Sequence, residues 1–163
     1  MSARFALCLA AALAAAAPLA CASGPGPSAA EANAARVRQA FEDWRAGRGS
    51  VFDLLAEDVS WTVAGSSPVS GTYASRRDFM ANAVAPINAR LSTPISPQVR
   101  SIVAQDDTVV VLWDGSATRF DGLRYENRYA WHMVFADDRI VEVVAFLDTW
   151  ALEALMAGDG DGG

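Results

Sequence analysis

From Gln98 onward, apolar and polar residues alternate in successive runs. A period of two sends neighbouring side chains to opposite faces of a strand. The runs therefore predict strands over residues 98–104, 108–119, 122–135 and 139–148. The links between them carry Asp106-Asp107, Asp121-Gly122 and Asp137-Asp138, short acidic turns that suit antiparallel hairpins. Upstream the period changes. Ser28 and Glu31 form a capping-box pattern ahead of Val37, Ala40, Phe41 and Trp44 at helical spacing, and Gly47 and Gly49 close that helix. Ser50 heads a shorter helix over 51–56, and Val59, Trp61 and Val63 then alternate as a strand into the turn at 65–67. Ser75 and Asp78 repeat the cap signal before Met80, Val84, Ile87 and Leu91, a single apolar stripe. Pro86 interrupts it and, lacking an N–H, predicts a kink or restart. A last helix is predicted over 149–156. Helices followed by a strand meander make an α+β plan, with helices on one face of a curved sheet and a conical cavity at one end.

The strand over 122–135 is polar where a core strand should be greasy. Tyr125, Asn127, Tyr129, Trp131 and Met133 share one face, while Arg128 and His132 fall on the other. The next strand ends on Asp148, so an amide, two phenols and an indole face a carboxylate, as in a pocket wall. Asp148 is the candidate general base, desolvated by its aromatic neighbours, with Asn127 and Tyr129 donating to a substrate oxygen. The competing assignment makes Asp148 the cap of the last helix or an anchor for Asn127. Trp61, Tyr73, Tyr125, Trp131 and Phe146 are the candidate pocket lining, since amphipathic aromatics both wall a cavity and orient a ligand. Trp113 alternates with Val109 and Val111, which puts it on a buried sheet face or a self-pairing face. His132 reads as a packed or interface histidine. One histidine and scattered carboxylates give no metal site, the aspartate pairs read as turns, and no glycine-rich phosphate loop is present; no cofactor is expected.

The chain's 163 residues suit one domain. Arg4, the apolar run over 5–17 and the small residues after Pro18 have the form of a secretory signal peptide over 1–22. Cys21, following Leu19 and Ala20, resembles the acylated cysteine of a bacterial lipobox, although Pro18 stands where that motif usually has leucine. Ordinary cleavage after Ala20 or Ala22 is the alternative. Export to the periplasm or anchoring as a lipoprotein follows. Residues 23–31 read as a Gly/Pro/Ser tether and 157–163 as a disordered Gly/Asp tail. Both cysteines, Cys8 and Cys21, lie in the targeting region, which leaves the folded part without a disulfide. The net charge is −6, and every basic residue except His132 is arginine. With no basic run, nucleic acid is excluded as a partner.

The order of elements, together with Leu54-Leu-Ala-Glu-Asp-Val59, Trp61, Pro68-Val-Ser-Gly-Thr-Tyr73, Tyr125-x-Asn127-x-Tyr129-x-Trp131, Asp138-Arg-Ile140 and Phe146-Leu-Asp-Thr149, resembles the nuclear transport factor 2-like superfamily. Within it the chain resembles SnoaL-like domains, relatives of polyketide cyclases and ketosteroid isomerases, over residues 32–156. The resemblance implies a cystatin-like cone, a curved and mostly antiparallel sheet wrapped around N-terminal helices. It implies a small organic ligand of polyketide or steroid type, proton-transfer chemistry of isomerase or cyclase type, and a homodimer through the outer sheet face. The catalytic positions of such relatives fall near Ala40, Thr62 or Val63, and Trp131, and none of these residues can act as the phenol, base or acid required. A non-catalytic ligand-binding module and a purely structural dimer are therefore the alternatives.

Overall fold

The computed structural model describes residues 26–157. The expected signal peptide over 1–22, acylation at Cys21, the start of the tether and the tail from 158 lie outside the described residues.

Helix α1 (Ala29–Arg45) begins inside the stretch expected as tether. Ser28 Oγ accepts from the Glu31 backbone N–H, and the Glu31 carboxylate accepts from the Ser28 N–H, so two orphan donors are satisfied at once. Val37 and Phe41 are buried on its inner face, and Gly47, at φ 68°, turns the chain away after its last turn. Ser50 caps a single 3-10 turn (Val51–Leu54) instead of a helix reaching 56. Leu55 is already extended and pairs with Ile140, so sheet pairing captures the chain there.

Strand β1 (Leu55–Val63) leads to the short strand β2 (Gly71–Tyr73), an edge strand that the sequence pattern does not announce. A helical segment follows as α2 (Arg76–Phe79), a π-helical turn (Met80–Val84) and α3 (Ala85–Asn88). The irregularity expected at Pro86 is this π turn: proline offers no N–H to a preceding carbonyl, and the helix widens just before it. Then come β3 (Ser96–Gln105), β4 (Thr108–Thr118), β5 (Arg124–Ala136), β6 (Arg139–Leu147) and α4 (Thr149–Ala157). Asp137 and Asp138 hold positive φ of 46° and 66°, and Asp106 one of 53°. Left-handed turn residues match the twist of the flanking strands in tight hairpins.

The sheet order is β2-β1-β6-β5-β4-β3. All neighbours are antiparallel except β1 and β6, which run parallel with Trp61 opposite Val143. The curved, unclosed sheet packs its concave face on α1, and the core of Val59, Val109, Val111, Met133 and Val143 is buried there with Phe41. Trp113 also belongs to this concave face, 2% exposed, which removes it from any self-pairing surface. The convex face carries Val103, Leu112 and Phe146, at 64%, 44% and 54% exposure. His132 lies on that face as well, between Val110 and Val144 in the register, with a buried Nδ1 that has no hydrogen-bond partner among the described residues.

Candidate functional site

The concave sheet face is too wide for α1 to cover, and the uncovered part becomes a cavity of about 670 Å³. One wall is sheet: Trp61 from β1, Trp113 from β4, Tyr125, Tyr129 and Trp131 from β5, and Ala145 and Leu147 from β6. The other walls are Trp44 at the end of α1, Phe52 on the 3-10 turn, the segment 79–95, and Leu152 and Met156 on α4. Their rings hold one another in place. Trp113 stacks on Tyr129 at 3.9 Å between centroids, and Trp61 stacks on Phe79 at 4.0 Å. Trp131 meets Trp61 and Trp113 edge-on at 4.9 and 4.7 Å. Edge-to-face and offset contacts of this kind are the favourable aromatic geometries, and they make a stiff wall.

The polar end of the wall is one connected network. Asn127 is 5% exposed and uses both ends of its amide. Its Oδ1 accepts from the backbone N–H of Arg128 at 2.8 Å and of Asp148 at 3.0 Å. Its Nδ2 donates to the Asp148 carbonyl at 2.9 Å and to the Tyr125 hydroxyl at 3.1 Å. The Tyr125 and Tyr129 hydroxyls are 2.9 Å apart. Burial, opposed by the hydrogen bonds from Tyr129 and Asn127, pushes the Tyr125 phenol above its ordinary range. Burial, reinforced by the Tyr125 neighbour, pushes the Tyr129 phenol well above it. Both stay protonated around neutral pH.

The structure assembles five of the expected residues around the cavity: Trp61, Tyr73, Tyr125, Tyr129 and Trp131. Three others sit elsewhere. Phe146 points to the convex face, because its neighbours Ala145 and Leu147 take the inward positions of β6. Asp148 is exposed, and its Oδ1 accepts from the backbone N–H groups of Trp150 and Ala151 at 3.0 and 3.1 Å. It is the cap of α4 and not a desolvated base; it faces a separate polar groove with Arg45, Arg124 and Arg128. Asn127 has no N–H left for a substrate, so it positions Tyr125 and the β6–α4 junction rather than binding a substrate oxygen itself.

Sequence reasoning missed the roles of Trp44, Phe52, Phe79 and Trp113 in the lining. It also missed that Met80, Val84, Ile87 and Leu91 all face the cavity. The stripe was visible as a 3.6-residue repeat, but a repeat announces an apolar face without saying whether core or cavity lies beyond it. Among the described residues, no cluster of His, Cys, Asp and Glu could hold a metal ion.

Several solved structures share this fold. A protein from a soil-derived mobile gene cassette is 20% identical with a TM-score of 0.66, over 79% of this chain and 99% of that one. A nuclear transport factor 2-like protein of unknown function from Burkholderia pseudomallei is 22% identical with a TM-score of 0.64, over 76% and 96%. TerC, co-crystallised with polyporic acid, is 19% identical with a TM-score of 0.62, over 76% and 97%. No curated protein matches the chain. Its fold is the nuclear transport factor 2-like one of these structures, and since the sequence model of the SnoaL-like domain matches residues 24–143, most of the chain, the protein belongs to that family.

Proposed function

We propose that this domain binds a small, flat, largely apolar organic molecule of polyketide or steroid type in its cavity, as a binding module rather than an acid–base catalyst. The lining carries the reading: aromatic and aliphatic walls surround the cavity, and no Asp, Glu, His or Arg stands among the described lining residues. Flat aromatic walls favour flat ligands, while a few hydroxyls fix orientation. Carbon–hydrogen proton transfer needs a base within hydrogen-bond reach, and the carboxylate expected to serve, Asp148, is committed to α4. TerC's co-crystallisation with polyporic acid is in keeping with ligand binding in this fold. The test titrates the purified chain with polycyclic ketones, terpenoids and sterols. Trp44, Trp61, Trp113 and Trp131 line the cavity and report occupancy by fluorescence. Saturable quenching with a raised melting temperature is expected for at least one class. No response to any class sinks the reading.

The convex face supports self-association as a second part of the function. Phe146, Ala130 and Leu112 lie side by side across β6, β5 and β4, an apolar row on the face that also carries Val103, Val110 and Val144. Sedimentation should find a homodimer that Leu112→Glu converts to monomer; a monomeric wild type removes this part. The N-terminal pattern supports export with Cys21 acylated. Cell fractionation should move the Cys21→Ser variant out of the membrane fraction, and an unchanged distribution counts against the anchor.

A further inference from the structure

The phenol pair at the cavity wall has one proton more than the described residues accept. The orientation of the Asn127 amide is fixed, because its nitrogen faces the Asp148 carbonyl and its oxygen faces two backbone N–H groups. Its second N–H therefore donates to the Tyr125 hydroxyl, which must accept. Tyr125 and Tyr129 then share one O–H···O contact, and either hydroxyl can be its donor. Each phenol has a single proton. Whichever way the shared bond runs, the other phenolic proton finds no acceptor among the described residues. Both rings line the cavity. Trp113, stacked on Tyr129, adds an indole N–H that is buried without a partner among the described residues. An unsatisfied donor at an apolar wall is costly until something accepts from it.

Resting on the binding reading above, we propose that the Tyr125–Tyr129 pair is a hydrogen-bond donor site for a neutral carbonyl oxygen on the ligand, held in position by Asn127. A ligand whose polar group only donates would leave the surplus phenolic proton without an acceptor. A carboxylate would bring a full charge into an apolar cavity with no described cationic group in its lining. A flat ketone, quinone or lactone satisfies both the aromatic walls and the surplus proton. The high phenol pKa values keep that proton in place across the physiological range.

Fluorenone and fluorene test this directly, since the two share a flat three-ring frame and differ in the carbonyl. The full-length protein should bind fluorenone about tenfold more tightly than fluorene by tryptophan quenching, the scale of one net hydrogen bond to a buried donor. The Tyr125→Phe/Tyr129→Phe double variant should lose that preference, binding the two compounds with equal affinity. The infrared carbonyl band of fluorenone bound to the wild type should lie below its position in hexane. Equal affinities in the wild type, a preference that survives in the double variant, or an unshifted band each overturn the donor site. An unshifted band does so even if the double variant fails to fold. If neither compound binds, the cavity reading fails and the donor site falls with it. Equal binding of both overturns the donor site alone.

Discussion

Gly115 shows how much of the cavity wall rests on one missing side chain. A Cβ built on it would lie 2.9 Å from Cζ3 of Trp113, 3.0 Å from Cε2 of Tyr129 and 3.1 Å from Cγ2 of Ile95. The stacked pair Trp113–Tyr129 passes over this position, and only glycine leaves it room. Gly115→Ala should therefore cost about 1–3 kcal/mol of stability, the usual range for overpacking, and weaken the near-ultraviolet circular dichroism of the stacked rings. Urea denaturation beside that spectrum checks both, and a variant as stable as the wild type would show the rings free to shift. Asn127 is legible at this scale only in part. Alternation placed it on the inner face of its strand, but a sequence does not reveal that all four of its hydrogen-bonding positions are taken by neighbours from β5 and the β6–α4 junction.

At the scale of elements, caps and turns follow local chemistry closely. Ser28, Ser50 and Ser75 all cap the helical segments that they precede. Asp148 belongs with them. Its carboxylate takes two N–H groups of the first turn of α4, and that helix packs Leu152 and Leu155 into a buried cluster with Leu91, Ala117 and Tyr125 and carries Met156 to the cavity. Asp148→Ala should cost about 0.5–2 kcal/mol, the range for losing an N-cap, while leaving fluorenone affinity within twofold. Thermal melts and ligand titrations separate this from a catalytic or ligand-contacting role, in which binding would change more than stability. The boundary at Leu55 went the other way. Ser50 and the residues after it favour a helix locally, yet pairing with Ile140 turns the chain into strand after a single 3-10 turn. Local propensity yields to tertiary pairing when the two disagree.

For the whole molecule, the burial of Tyr125 and Tyr129 ties cavity formation to stability at alkaline pH. Both phenols have raised pKa values in the folded state, chiefly through burial, against an ordinary value of 10.0. The folded protein thus retains protons that the unfolded chain releases as the pH rises past that value. Their contribution is fully present below about pH 10 and is lost progressively above it. Unfolding free energies from urea titrations should stay level up to about pH 9 and then fall, with a shallower fall in the Tyr125→Phe/Tyr129→Phe variant. An equally steep fall in both proteins would assign the alkaline transition to other groups. The sequence by itself determined α1, the capped segment after Ser75, the last helix and the strand meander with its turns, because periodicity, caps and left-handed aspartates act over a few neighbouring residues, while its motifs carried the resemblance to the family. Tertiary structure alone decided the parallel pairing of β1 with β6, the inward turn of the stripe on the helical segment 76–88, and the removal of Asp148 and Phe146 from the cavity. Those outcomes depend on which distant faces meet, and no local pattern carries that information.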